Sequence, residues 1–205
     1  MRSTDSHFVT RARQVILALC ISLSLSAQVT DRDLFDAYLR EDMTVWKAYV
    51  DQNTDLLYEY GYCGYIVAEA KKDGKQSLLP DAKRYVAQFK QHVEAQRSTL
   101  PNGHYEMYMS AVYVFELRLK ESIHPLKAMS LAKEATQLAS TDPMVLTYYG
   151  TSLFYAPKPF GSKQEALEWF ERAENYFRAP KWQYCWLRKA NEMYIQQCKE
   201  KLKNK

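Results

Sequence analysis

Apolar residues recur every three or four positions along most of the chain beyond residue 30, with polar residues between them. This period is that of an amphipathic helix with one buried face. At the start of the pattern, Leu34, Tyr38 and Trp46 follow it. They predict one long helix or two short ones ending near Asp51, with any break at Asp42-Met43.

Turn and capping residues divide the rest of the chain into further helices. Thr54 is a good N-cap for a helix that Gly74 would end. Pro80 suits the first turn of the following helix. With only six glycines in 205 residues, the chain is expected to be mostly helical. Later helices are predicted to start near His104, after a loop that contains His124-Pro125, and near Pro143, Gln164 and Lys181.

Two of these helix starts carry a complete capping signal. Asp142 precedes Pro143, which places an N-cap before a favoured first-turn residue. Ser162 stands three residues before Glu165, which is the spacing of a capping box. These boundaries are therefore the most sharply defined in the chain.

The segment 142–180 carries a spaced pattern of small and large residues. A glycine on one helix lets a second helix approach closely, alanines on that second helix receive it, and aromatic rings fill the gaps. The predicted structural positions of this segment are Gly150, Ala166, Phe170, Ala173 and Pro180.

Other segments repeat this pattern less completely. Gly61 and Ala111 fall on earlier helices at the position of Gly150, and Ala190 falls on the last one. Their intervals exceed the ~34 residues of the standard tetratricopeptide repeat. The first pair departs further, because Phe89 stands where a small residue is expected.

Taken together, these positions resemble the tetratricopeptide repeat, whose signature places a Leu-Gly step before A-x3-F and a later proline. The resemblance implies an all-α fold: a short right-handed superhelix of antiparallel helix pairs. The proline-bounded loop from Ala156 to Lys163 is similar to one in secreted helical-repeat proteins of Bacteroidetes-type bacteria. A related loop occurs in periplasmic helical-repeat proteins of tripartite transport systems.

Residues 1–27 have the pattern of a secretory signal peptide, leaving residues 28–205 as a single helical-repeat domain. Arg2, Arg11 and Arg13 precede an apolar run from Val15 to Leu25, and small residues follow. This predicts a secreted or periplasmic protein without a membrane span in the mature chain. Two alternatives are a buried first helix and a lipoprotein anchored through Cys20.

The charge and the cysteines add little chemistry. Removing the leader lowers the net charge from +4 towards neutrality, so no basic surface suited to nucleic acid is expected. The mature chain retains Cys63, Cys185 and Cys198, which are interpreted as buried free thiols. No zinc-site spacing, catalytic triad motif or fixed carboxylate pair occurs, so neither an enzyme nor a cofactor is predicted.

The tyrosines suggest a binding surface instead. The repeat alignment places a stripe of aromatic residues from the first helix of each pair on a concave groove. Tyrosine suits such a surface because it combines apolar area with a polar tip. In the alternative interpretation, the same stripe is core, covered by the N-terminal helix. The predicted groove residues are Tyr58, Tyr62, Tyr65, Tyr108, Phe115 and Phe154.

These patterns favour an interaction module that binds a protein or an extended peptide without chemistry. The alternative function is an accessory subunit of a transport system, which would need a closed cavity lined by the same tyrosines. The basic residues on the first helix pair are interpreted as a solvated face, with an acidic partner as the alternative. They are Lys71, Lys72, Lys75, Lys83 and Arg84.

Overall fold

A computed structural model describes residues 29–121 and 124–203. This part of the chain is all-α and contains no strand. Two short 3-10 helices, Gln76–Leu78 and Pro180–Trp182, precede the fourth and ninth α-helices. The α-helices are α1 (Asp31–Leu39), α2 (Met43–Val50), α3 (Leu56–Glu69), α4 (Leu79–Ala95), α5 (His104–Arg118), α6 (Pro125–Leu138), α7 (Pro143–Tyr155), α8 (Lys163–Phe177) and α9 (Trp186–Lys203).

The expected break near Asp42 separates two short helices. Glu41 adopts a positive φ of 57° and so ends α1. The Asp42 carboxylate then accepts a hydrogen bond from the Thr44 backbone N–H and caps α2. The two-helix form of the prediction is confirmed.

Two of the predicted helix starts are wrong, one by a single residue and the other by five. Asp55, not Thr54, caps α3, because its carboxylate accepts hydrogen bonds from the backbone N–H groups of Leu57 and Tyr58. The last helix begins at Trp186 rather than Lys181, since a 3-10 turn occupies the residues after Pro180. An aspartate accepts the charge-assisted bonds of a cap better than a threonine does.

The two complete capping signals are confirmed. Asp142 accepts from the backbone N–H groups of Met144 and Val145 at the start of α7. The Ser162 hydroxyl accepts from the Glu165 N–H at 3.0 Å and caps α8.

Small residues set the contact between α7 and α8. A Cβ atom added to Gly150 would lie 2.7 Å from Cε1 of Phe170, so the ring rests directly on the glycine backbone. Ala166 and Ala173 are fully buried on either side of Phe170, and Ala111 is buried on α5. Pro180, by contrast, is exposed and opens the 3-10 turn.

The first helices and the last helix pack together around Trp46. Its ring lies 5.5 Å from Trp186 on α9 and 5.3 Å from Tyr58 on α3, centroid to centroid. The indole Nε1–H donates to the Leu34 carbonyl at 2.8 Å, which ties α2 to α1. A Cβ on Gly61 would meet Trp46 at 2.5 Å, so this glycine admits the indole.

Cys63, Cys185 and Cys198 are buried free thiols, as expected. None of the described helices is long and apolar enough to cross a membrane. The predicted signal peptide and Cys20 lie outside the described residues.

Candidate functional site

The predicted aromatic groove is mostly core. Five of its six residues are only 2–5% exposed: Tyr58, Tyr62, Tyr108, Phe115 and Phe154. The sixth, Tyr65, is 38% exposed. The expectation that these rings form an open wall is therefore wrong for all but Tyr65.

Helix α2 covers the part of this stripe that lies on α3. Tyr49 and Trp46 both pack edge-on against Tyr58, with centroids 5.3 Å away. The Tyr58 hydroxyl donates to Asp31 at 3.1 Å. Tyr62 packs against Tyr85 of α4 at 4.8 Å. The N-terminal helices thus occupy the face that the repeat alignment assigned to a partner.

A different set of tyrosines converges from four helices. We call it the tyrosine cluster. Ring contacts join Tyr60 to Tyr148 at 5.9 Å and Tyr155 to Tyr194 at 6.1 Å. Trp186 bridges Tyr38 and Tyr60, at 5.7 and 5.8 Å. The members are Tyr38 on α1, Tyr60 on α3, Tyr148 and Tyr155 on α7, and Tyr194 on α9.

The hydroxyl groups of the cluster affect one another's pKa. Burial raises the pKa of Tyr60 well above its usual value, and Tyr148, Tyr194 and Tyr155 add to the rise. Burial also raises the pKa of Tyr148 to about 12, opposed by hydrogen bonds with Ser110 and Ser152. Tyr60 and Tyr148 are therefore neutral hydrogen-bonding groups at physiological pH.

One member of the cluster reaches the surface. Tyr155 is 65% exposed at the C-terminal end of α7, and its hydroxyl lies 3.5 Å from that of the half-buried Tyr194. Phe154, which belonged to the predicted groove, lies buried next to them, 5.5 Å from Tyr194. An exposed aromatic residue held on a packed aromatic base is typical of an interaction surface.

Two lysines lie against Phe154, next to Tyr155 and Tyr194, and the charge of Arg118 acts on the Tyr194 hydroxyl. The ammonium groups of Lys163 and Lys201 lie 3.9 and 4.9 Å from the centre of the Phe154 ring. Burial and the Tyr155 and Tyr38 hydroxyls raise the pKa of Tyr194, whereas Arg118 opposes the rise. We call Tyr155, Tyr194, Arg118, Lys163 and Lys201 the Tyr155 patch.

The loop between α7 and α8 fixes the edge of this patch. A Cβ on Gly161 would lie 2.3 Å from the Leu153 carbonyl oxygen, so only glycine lets the loop approach the last turn of α7. Lys163 donates a hydrogen bond to the Phe154 carbonyl. The close packing of the loop against α7 thus explains the glycine in its F-G-S sequence.

Two cavities of the described chain lie elsewhere. A groove of about 420 Å³ between α8 and α9 is lined mainly by charged residues, including Glu171, Glu174 and Lys199. A smaller cavity, lined by Glu59, Tyr62 and Tyr85, has no space for a water molecule. The groove is lined by no tyrosine, and the smaller cavity has tyrosines but no room for a ligand.

Two histidine–carboxylate pairs are structural contacts between helices. His92 Nδ1 lies 2.8 Å from Glu59, and His104 Nε2 lies 3.1 Å from Asp142. Each histidine meets one carboxylate, and Asp142 also caps α7. Among the described residues, no group of three or more His, Cys, Asp or Glu side chains could hold a metal ion.

The basic residues of the first helix pair mostly have partners nearby. Lys72 pairs with Glu69, Lys83 with Glu121, and Arg84 with Asp81. Local ion pairs on an exposed face agree with the interpretation as a solvated surface.

The predicted stripe missed Tyr60, Tyr148 and Tyr155 because it followed neighbouring positions, one residue away on α7 and two residues away on α3. A shift of two residues on a helix turns the face by roughly 200°. The one usable signal was Tyr155 itself, an aromatic residue directly before a proline-rich loop.

We compared the chain with protein-family models, with curated proteins and with solved structures, and none of them matched.

Proposed function

We propose that this protein is a helical-repeat interaction module that binds a protein or peptide partner through the Tyr155 patch. It acts by contact alone, without chemistry. The module is a short tetratricopeptide-like solenoid of antiparallel helix pairs, exported by the leader in residues 1–27.

Two packing features support the solenoid arrangement. Helices next to each other in sequence make the most extensive contacts, foremost α7 with α8 and α5 with α6. The Gly150–Phe170 contact is the one that the repeat pattern requires. In this arrangement α1 and α2 fill the groove of the first helix pair, and the exposed aromatic surface lies at the last pair.

The exposure of Tyr155 is the observation that carries the proposed binding surface. Most large aromatic residues of the described ranges are buried or half-buried, yet Tyr155 is 65% exposed beside a second tyrosine hydroxyl. Tyrosine and arginine are enriched among residues that dominate binding energy at protein interfaces. The patch contains both.

The test is affinity capture from an extract of the source organism, using residues 28–205 as bait. We expect Tyr155→Ala to remove a protein that the wild-type bait retains. Tyr176→Ala is the matched control, because Tyr176 is a 38% exposed tyrosine on α8 outside the cluster.

Each outcome distinguishes one interpretation from another. If Tyr65→Ala loses the partner and Tyr155→Ala keeps it, the partner binds the predicted α3 face and not the Tyr155 patch. A co-purifying small molecule without a protein would favour the transport-subunit alternative. Equal capture by wild type and Tyr155→Ala would contradict the proposed surface.

A further inference from the structure

The tyrosine cluster presents uncharged rings and hydroxyl groups at the surface of the molecule. Tyr155 is 65% exposed, and Tyr38, Tyr60 and Tyr194 are half-buried. The buried Trp186 packs against two of them, with its ring centre 5.7 Å from that of Tyr38 and 5.8 Å from that of Tyr60. The accessible part of the cluster is therefore an aromatic surface on a packed aromatic base.

The hydrogen-bond donors of this surface lack acceptors within the chain. The hydroxyls of Tyr38 and Tyr60 form no hydrogen bond among the residues that the structure describes. The buried indole Nε1–H of Trp186 has no hydrogen-bond partner there either. The hydroxyls of Tyr155 and Tyr194 lie 3.5 Å apart, which is long for a hydrogen bond between two oxygens. A ligand rich in carbonyl acceptors would satisfy donors that the chain leaves unpaired.

Three modes of peptide recognition differ in the surface that they need. Strand addition needs an open sheet edge, and the described ranges contain no strand. An amphipathic helix lays its apolar face into a hydrophobic groove, whereas the rings of the cluster present hydroxyls. A polyproline II segment needs exposed aromatic rings, and its carbonyl groups are free to accept hydrogen bonds. Of the three modes, this last one matches the tyrosine cluster.

The spacing of the aromatic contacts fits one turn of such a segment. Tyr155 and Tyr194 form a pair at one end, with ring centres 6.1 Å apart. At the other end, Tyr60 packs against Tyr148 and Trp186. Tyr155 follows Tyr148 by seven positions on α7, and Tyr194 follows Trp186 by eight on α9. These intervals span about 10–12 Å along a helix, and one polyproline II turn of three residues advances about 9 Å.

We propose that the tyrosine cluster binds a proline-rich segment of a partner protein in the polyproline II conformation. One proline ring packs against Tyr155 and Tyr194, and a proline one turn along the segment packs against Tyr60. The hydroxyls of Tyr38 and Tyr60 donate hydrogen bonds to carbonyl groups of the segment. This inference rests on the proposed function, because Tyr155 belongs to both surfaces, and it names the chemistry of the partner.

The probes are two fluorescein-labelled nonapeptides without charged side chains. The first consists of three Ala-Pro-Pro triplets, and the second has serine at every proline position. Fluorescence anisotropy measures the affinity of each peptide for residues 28–205. We expect the proline peptide to bind at least about tenfold more tightly than the serine peptide, because only the proline peptide is preformed as a polyproline II helix.

Two tyrosine variants test the location of the site. We expect Tyr155→Ala to weaken binding of the proline peptide by about tenfold or more. Tyr60→Phe keeps the ring and removes the hydroxyl, so it should weaken binding by about two- to tenfold.

Each variant has a matched control outside the cluster. Tyr176→Ala truncates a 38% exposed tyrosine on α8, and Tyr149→Phe removes the hydroxyl of a buried tyrosine that packs against Trp169. Both controls should bind the proline peptide as wild type does. Thermal unfolding of each variant checks that the fold is intact.

The outcomes separate this inference from the proposed function. Equal affinity for the proline and serine peptides, or no effect of Tyr155→Ala on the proline peptide, would overturn the proline-rich partner. A captured protein that still depends on Tyr155 would leave the proposed function standing in that case. Tighter binding of maltohexaose than of the proline peptide would overturn the protein partner in favour of an oligosaccharide.

Discussion

At the scale of single residues, Gly61, Gly150 and Gly161 allow other parts of the chain to pack directly against their backbone. Trp46 and Trp186 rest on Gly61, Phe170 rests on Gly150, and the Leu153 carbonyl rests on Gly161. Gly64 differs, because an added Cβ would lie no closer than 3.9 Å to Phe115. Replacing Gly150 and Gly64 by alanine therefore separates the cost of close packing from the gain in helix propensity.

We expect Gly150→Ala to destabilise the protein by about 1–3 kcal/mol, since the buried Phe170 ring cannot move without disturbing its neighbours. Gly64→Ala should instead stabilise it by about 0.5–1 kcal/mol through the better helix propensity of alanine. Urea unfolding of both variants measures the difference. Equal urea midpoints for the two variants would show that the contact between Gly150 and Phe170 has room for a methyl group.

At the scale of helices, a contact between the buried Glu59 carboxyl and His92 joins α3 to α4. Glu59 is only 4% exposed, and its second oxygen has no hydrogen-bond partner among the described residues. Burial raises the pKa of the Glu59 carboxyl, the hydrogen bond and charge of His92 oppose the rise, and Asp55 adds to it. Burial also raises the pKa of the Cys63 thiol, which faces the same region and stays neutral near pH 7.

This raised pKa gives the stability a pH dependence of definite sign. The folded state binds the Glu59 proton more tightly than the unfolded state, whose carboxyl has a pKa of about 4.3. The resulting stabilisation is present below that value and is lost as pH rises through the folded pKa. Glu59→Gln mimics the protonated carboxyl, so its stability relative to wild type should increase as pH rises above about 4.3.

Urea unfolding of wild type and Glu59→Gln at several pH values measures this gain. Asp36→Asn, which changes an exposed carboxylate on α1, is the control and should show little of it. A difference between wild type and Glu59→Gln that stays constant with pH would contradict the raised pKa.

At the scale of the whole molecule, Trp46 connects the beginning of the described chain to its end. It contacts Tyr38 on α1, Tyr58 on α3 and Trp186 on α9. A side chain that contacts helices so distant in sequence stabilises the fold cooperatively, because its loss weakens several contacts at once.

We expect Trp46→Ala to cost about 3–5 kcal/mol, the range for truncating a buried large aromatic residue. Trp169→Ala should cost clearly less, since Trp169 is half-buried and its ring contact is with Tyr149. Thermal unfolding followed by circular dichroism compares the two variants. A Trp46→Ala protein as stable as Trp169→Ala would mean that α1 and α2 are dispensable for the fold.

The sequence by itself determined the helical class and most helix boundaries, because periodicity and capping are local. Asp142, Ser162 and the break at Asp42 were predictable in this sense, as was the close approach at Gly150. What covers each aromatic face depends on contacts between segments far apart in sequence. Only the tertiary structure could therefore bury Tyr58 beneath Trp46 and leave Tyr155 exposed among cations, because burial is a property of the packed chain.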